Sequence, residues 1–275
     1  LDSRQIYDQI SIGTAQPTPE EMQCVVHHLI GNKPLDEPIS AGQYAKLVLG
    51  CIDKVKSKQK IPIVCGGAGL YYRALYSGIF DQSKTELTVR KKLENMYDSG
   101  NAQKMMMNLK KIDPDYSEHI HINNRKRLIR ALEIYESTGK APSEHFNDQR
   151  SRPHPNINLY SIYLNWDRTI LRKRISRRTS KMIKKGWIAE VKNLISIYPD
   201  FDLQPLDSIG FKQIVLYLNE QIKLEDLEME INTKTYQYAV KQIKWFKKEK
   251  IDLIIDMDSK INMDQVTKKI LSAII

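Results

Sequence analysis

The sequence has no apolar run approaching the length of a membrane span and no apolar stretch behind a basic start, so neither a membrane anchor nor a secretory leader is expected. Cysteine is scarce: Cys24, Cys51 and Cys65 are far apart and irregularly spaced. They suggest neither a disulfide framework nor a zinc cage, and a reducing cytoplasm is the expected compartment. Internal repeats and low-complexity segments are missing as well. Nowhere does Gly-x-x-x-x-Gly-Lys-Ser/Thr occur. Thr138-Gly139-Lys140 looks like its end, but it follows a helical pattern instead of opening one, and it reads as a glycine C-cap beside a favourable lysine. Leu1 to Tyr7 read as the tail of a strand already inside a domain, so a truncated or incomplete chain is expected.

What is present is size, ordinary apolar content and positive charge. At 275 residues the chain can bury one large core and a smaller insert. Its 43 Lys and Arg exceed 33 Asp and Glu, a net +10 that favours a polyanionic partner through counterion release. Charge alone does not name that partner.

Periodicity sets the organisation. Thr18 with Glu20 and Glu21 suits a capped helix start for 19–28, and Ser40 to Lys58 has helical spacing. Lys60 to Cys65 is a short apolar run closed by Gly66-Gly67, the pattern of a buried parallel strand despite Pro62. Leu70 to Ser77 looks helical again, so strand, glycine turn and helix indicate an α/β sheet domain. Consecutive helices follow from Glu86 to His145, with Met105, Met106 and Met107 as core filler. Asn147 to Asn158 reads as a loop, Asn158 to Leu164 as a strand, Asp167 to Ser196 as one long basic helix, and 252–256 as a short final strand. The expected segments are an α/β core part at 1–82, a helical insert at 83–150, and a mostly helical second core part at 151–275.

Four stretches can carry chemistry. Asp2-Ser3-Arg4-Gln5, followed by Ile12-Gly13-Thr14-Ala15-Gln16-Pro17, puts a carboxylate at a strand end. There it can accept a proton, help hold a metal, or merely cap a turn. Gly66-Gly67-Ala68-Gly69 brings backbone amides to a helix start, where an anion can sit, although glycine turns also serve packing. In Arg125 to Glu133, Arg127 and Arg130 share a helix face with Leu128 and Leu132 on the buried side. Such a face grips phosphates or is simply solvated. Arg174 and Arg178, four apart, can clamp a diphosphate, or be solvated or paired with Glu190. His119 and His121 lack the companions a metal pair needs and read as surface or helix-end residues.

Taken in order, these stretches resemble the tRNA dimethylallyltransferase (tRNA isopentenyltransferase) family. The resemblance rests on Asp2-Ser3, Ile12 to Ala15, Val26-His27-His28, Gly66 to Tyr71, His121 to Glu133, the Arg174 to Val191 helix, Ile209 to Lys212, and Gln237 to Phe246. It covers almost the whole chain. It implies a P-loop-NTPase-like parallel sheet core with an all-α insert and a helical C-terminal part. The implied reaction moves a dimethylallyl group from dimethylallyl diphosphate, with Mg2+, to N6 of adenosine 37 in tRNA. By analogy Asp2 is the general base, and Arg174, Arg178, Gly67 and Ala68 hold the diphosphate. Ser3, Arg4 and Gln5, the run Lys126, Arg127, Leu128, Ile129 and Arg130, and Gly210 with Lys212 contact tRNA, the insert holding its anticodon arm. A cytoplasmic monomer is implied.

This chain departs from the family pattern in places. Ala68 replaces Thr, Ile122 replaces Pro, and Gln16 stands where Lys is usual. Tyr236, Val240, Lys241 and Lys244 replace Arg, Lys, Arg and Thr. The family's phosphate-binding loop precedes the Asp, and no counterpart lies ahead of Asp2 in this sequence. The leading expectation is an enzyme fragment of the family, active only when its N-terminal element is present, with two alternatives: a non-catalytic tRNA-binding remnant of the family, and a small-molecule P-loop phosphotransferase. The second has no account of the 121–133 motif.

Overall fold

Helices form where apolar residues recur at three- and four-residue spacing behind a capping residue, and that pattern dominates the chain. The computed structural model describes residues 1–78, 86–150, 157–199, 203–258 and 262–274. In chain order the helices are α1 (Pro19–Cys24), α2 (Ala41–Lys56), α3 (Gly69–Tyr76), α4 (Leu87–Met96), α5 (Ala102–Ile112), α6 (Pro114–Glu118), α7 (Arg125–Thr138) and α8 (Pro142–Arg150). Strand β1 (Ile162–Trp166) follows, then α9 (Arg168–Lys184), α10 (Trp187–Ile197), α11 (Phe211–Leu218), α12 (Leu224–Phe246), β2 (Leu253–Met257) and α13 (Met263–Ile274). The architecture is mixed α/β, rich in helix, with a small parallel sheet. Among the described residues no helix is long and apolar enough to cross a membrane.

The chain divides into two compact units. The first comprises Leu1–Ser40, Leu47–Tyr72 and Asn158–Ile275. Its β1 and β2 pair in parallel, Ile162 opposite Leu253 through Trp166 opposite Met257. Ile255, Met257 and Val266 form a core there, with Ile162, Trp166 and Ile270 packed on it. Helix α9 turns Ile175, Thr179 and Met182 inward, a spacing of four and three that makes one buried stripe. It packs on α12 and α10, and α11 packs on α10 and α12.

The second unit, Ala41–Lys46 and Arg73–Ile157, is helical. Leu93, Met105, Met106, Leu109, Leu128, Ile129 and Leu132 form its core, while Met107 is exposed. Buried Asp113 ties two helix starts together: Oδ1 accepts from the Tyr116 amide at 3.0 Å and Oδ2 from the Ser143 amide at 2.7 Å. Gly139 ends α7 at φ 71°, as the glycine C-cap reading requires.

Some expectations need correction. The 60–65 run is not a strand: Ile61 is 67% and Ile63 83% exposed. A parallel strand needs a continuous hydrogen-bonding neighbour; here, among the described residues, the run is reached at its ends, by Leu1 donating to the Cys65 carbonyl and by the Lys60 amide donating to the Val55 carbonyl, and Pro62 has no N–H to offer. The single helix over 167–196 is two helices, because Gly186 takes φ 100° between them. Helix α1 stops at Cys24, where Val25 turns extended. Helix α8 runs into the expected 147–158 loop, whose residues 151–156 lie outside the described ones.

Candidate active site

The first unit gathers its chemistry around the opening turn. Asp2 Oδ1 accepts from the amides of Arg4 at 2.7 Å and Gln5 at 3.1 Å. The carboxylate therefore caps the turn, as the plainer sequence reading holds. One oxygen does this for both amides, and among the described residues Oδ2 makes no hydrogen bond, so a proton-accepting position remains on the same group.

A run of hydrogen bonds fixes that turn to α10. Gln5 Nε2 donates to the carbonyls of Thr14 and Ala15 at 3.1 and 2.9 Å. The amides of Ile12 and Gly13 donate to Glu190 Oε2 and Oε1 at 2.8 and 2.9 Å. Burial pushes the Glu190 carboxyl above its ordinary range, and the two amides oppose that shift. Glu190 is thus engaged by backbone, not by Arg174 or Arg178, which removes the expected competing salt bridge. Gln16, in place of the usual Lys, donates from Nε2 to the carbonyls of Gln5 and Tyr7 at 2.9 and 2.7 Å and has a structural role.

Packing explains two glycines here. A Cβ at Gly13 or at Gly210 would collide with the Trp187 ring, so that indole lies between two backbone segments that must stay bare. Gly210 is buried at φ 94° and its amide donates to Gln213 Oε1 at 2.7 Å. The expected contact of Gly210 with tRNA is therefore corrected to a backbone role beneath Trp187. Lys212 is exposed and ion-paired with Asp207, whose carbonyl also accepts from Arg4 Nη2 at 3.5 Å. Ser3 is half-buried beside Asp2.

The glycine turn offers an anion fewer donors than expected. The Ala68 amide donates to the Leu1 carbonyl at 3.2 Å, and Gln242 Nε2 donates to the Gly67 carbonyl at 2.8 Å. A Cβ at Gly69 would strike Trp245. Gln242 and Trp245 lie three apart on α12, and Tyr238 is one turn before Gln242.

Charge converges on Asp2. Crowding pushes the Arg178 guanidinium below its ordinary range although its edge is exposed; Asp2 opposes the shift and Arg174 adds to it. Burial pushes the Tyr238 phenol up, Asp2 adds to that, and Arg4 opposes it. Asp2 therefore acts on both Arg178 and Tyr238, and Arg4 acts on Tyr238. Arg174 lies 4.1 Å from the centroid of Trp166, a cation–π contact that fixes its height on α9. Tyr238 and Gln242 lie in the Gln237 to Phe246 stretch that carries the resemblance, but the sequence did not single them out as site residues; their four-residue spacing was visible, and nothing marked the face they occupy.

The second unit carries the α7 run. Arg125 forms a two-pronged pair with Asp98, from Nε at 2.8 Å and Nη2 at 2.7 Å, and holds its carboxyl below the ordinary range. Arg130 is 3.1 Å from buried Glu133. Lys126 and Arg127 are exposed, whereas Leu128 and Ile129 are core residues, 0% and 2% exposed. Their side chains pack, which corrects the expectation that they touch tRNA. His119 caps the end of α6. Among the described residues no group of three or more His, Cys, Asp or Glu could hold a metal.

Comparison with known proteins bears on all of this. Residues 5–249 match the family model described as IPP transferase. The tRNA dimethylallyltransferase of Acetivibrio thermocellus is 38% identical over 248 residues, 90% of this chain and 79% of that protein. Its counterpart from Thermotoga maritima is 37% identical over 252 residues, 91% of this chain and 80% of that one. The full-length tRNA isopentenylpyrophosphate transferase of Bacillus halodurans superposes with TM-score 0.67 at 31% identity, over 99% of this chain and 86% of that one. A eukaryotic dimethylallyltransferase solved while acting on tRNA gives TM-score 0.81 at 28% identity, over 98% of this chain and 72% of that one. The expected P-loop-NTPase-like α/β class stands.

Proposed function

The chain belongs to the IPP transferase family, and on that premise we propose that it is a tRNA dimethylallyltransferase acting on N6 of adenosine 37 with dimethylallyl diphosphate as donor. The observation that carries the reading is the family match over residues 5–249; beside it, the Asp2 carboxylate and the Arg178 guanidinium belong to one unit, and Asp2 opposes the downward shift of Arg178. The adenosine N6 lone pair attacks the first carbon of the prenyl group. The bond from that carbon to oxygen breaks, its electron pair leaves with the diphosphate, and the N6 proton passes to Asp2. The free Oδ2 suits that step. Arg174 and Arg178 hold the diphosphate and stabilise charge as it departs, with Gly67 and Ala68 beside it. Ser3, Arg4 and Gln5 meet the adenosine, which must leave its stack to reach Asp2.

Magnesium belongs to this reading as a companion of the diphosphate. The described residues offer no cage for it, so its coordination would come from phosphate oxygens and water, where it would neutralise charge on the leaving group. Lys126, Arg127 and Arg130 of the insert at 83–150 hold the anticodon arm, and Lys212 is a separate tRNA contact of the core. One chain supplies the whole constellation, so a monomer suffices. Free thiols at Cys24, Cys51 and Cys65 suit the reducing cytoplasm where tRNA is modified. The transferase names of the relatives favour chemistry over a tRNA-binding remnant.

The test is the mass of tRNA after incubation with the chain, dimethylallyl diphosphate and magnesium. One added dimethylallyl group per tRNA, at adenosine 37, is expected. Asp2→Asn keeps the Oδ1 acceptor for the Arg4 and Gln5 amides, so the turn survives while the base is lost. Its turnover should drop by about 10²–10⁴-fold with tRNA affinity nearly unchanged. Unmodified tRNA from the parent would sink the proposal, and an equally active variant would remove Asp2 from it.

A further inference from the structure

Helix α9 carries eight Lys and Arg among its 17 residues and no Asp or Glu. Like charges four apart on a helix repel, so this composition weakens the isolated helix. On its inner side and flanks the positive charge is accounted for: Arg172 sits 3.9 Å from the Tyr236 centroid, Arg174 rests on Trp166, and Arg178 feels Asp2. On the side away from Ile175, Thr179 and Met182 it is not. Lys173, Arg177, Lys181 and Lys184 are exposed there, and none makes an ion pair among the described residues. They run along about 16 Å of helix, eleven residues at 1.5 Å each. Ser176 and Ser180 lie between them, and the six side chains with Glu228 of α12 line a groove of about 550 Å³.

We propose that this groove is a second phosphate track, in which Lys173, Arg177, Lys181 and Lys184 bind the sugar–phosphate backbone of the tRNA, apart from the diphosphate held by Arg174 and Arg178. The inference rests on the tRNA reading above and extends it to a surface that the catalytic roles leave unused. Cations in line with hydroxyl donors between them match a phosphate chain, which takes hydrogen bonds from both and carries no sequence information. A polyanion laid there relieves the repulsion along the helix. The one carboxylate among the lining residues, Glu228 of α12, disfavours a phosphate beside it. A groove of exposed charge also acts at long range and draws tRNA in.

The experiment measures tRNA affinity of the full chain against salt concentration. Each phosphate contact contributes about 0.7–0.9 to the slope of log affinity on log salt. The double variant R177Q/K181Q should lower that slope by about 1.5, with transfer to saturating tRNA intact. The control K268Q/K269Q removes the same charge from exposed α13 and should leave the slope near the parent's. Thermal melting of each variant separates loss of contact from loss of fold. Should the slope be unaltered, or alter equally in the control, the track is overturned while prenyl transfer by the parent keeps the tRNA reading intact. A parent that neither binds nor modifies tRNA overturns both. Loss of binding to phosphatidylserine vesicles, with the tRNA slope kept, would assign the groove to a membrane surface and overturn the proposal.

Discussion

Helices α7 and α9 look alike in the sequence, each a dense run of cations at helical spacing, yet the structure uses them differently. In α7 two of the charges are anchored to carboxylates: Arg125 to Asp98, Arg130 to Glu133. Between them Leu128 and Ile129 go into the core. In α9 no carboxylate is available on the helix, and its best-placed cations lean on aromatic rings or on the field of Asp2. A cation paired with a carboxylate chiefly serves the fold, whereas Arg174 and Arg178, which make no ion pair among the described residues, keep their charge for a ligand.

The largest effect should come from α9. Arg178→Ala removes the guanidinium on which the Asp2 charge acts, and turnover should drop by about 10²–10³-fold, the scale for one preorganised group at a developing charge. Arg178→Lys keeps the charge without the fork and should recover part of it. Steady-state kcat and KM for dimethylallyl diphosphate decide the matter. Unchanged kcat in the alanine variant would place Arg178 with the structural cations of α7 and erase the contrast.

In α7 the expected loss is of stability. Glu133 is 1% exposed and Arg130 38%, so Arg130→Ala strands a buried carboxylate. Breaking a fully buried pair costs about 3–5 kcal/mol, and partial exposure of the arginine reduces that to about 1–3 kcal/mol. Arg127→Ala should leave the urea midpoint in place and weaken tRNA binding, with a smaller salt slope. If the two variants behave alike in denaturant, pairing does not divide this face.

How far the sequence disclosed these differences follows from what each signal depends on. Helices α2, α3 and α7 were legible because apolar period and caps are local, and Gly139 marked an end by its own conformational freedom. The break at Gly186 was not legible, since a glycine inside a helical pattern either ends it or is tolerated. The 60–65 run has the composition of a buried strand, but burial depends on neighbours that composition does not contain. The turn-cap reading of Asp2 was legible because an Asp-Ser start is a local signal, and the carboxylate's second oxygen leaves room for the proposed base. The pairing of Glu190 was not legible: its partners are backbone amides 177 and 178 residues away, and no side-chain pattern records them. Trp187 likewise shows why Gly13 and Gly210 are bare, and that reason exists only once the three are brought together.

The smallest effect divides α9 within itself. Arg172 and Lys173 are sequence neighbours with the same charge, but Arg172 lies over Tyr236, which stands where the family pattern has Arg, while Lys173 lines the open groove. A second arginine at that α12 position would repel Arg172; the ring instead accepts it. Arg172→Gln should therefore cost about 0.5–1 kcal/mol of stability, the scale of an exposed cation–π contact. The salt slope of tRNA binding should stay near the parent's. Lys173→Gln should do the reverse, lowering the slope by about 0.7–0.9 with the melting temperature kept. Chemical denaturation and a salt titration on both variants give two numbers each, and the expected result is that they cross. Parallel changes would mean that α9 presents one undivided cationic surface, with the ring at Tyr236 making no distinction between its charges.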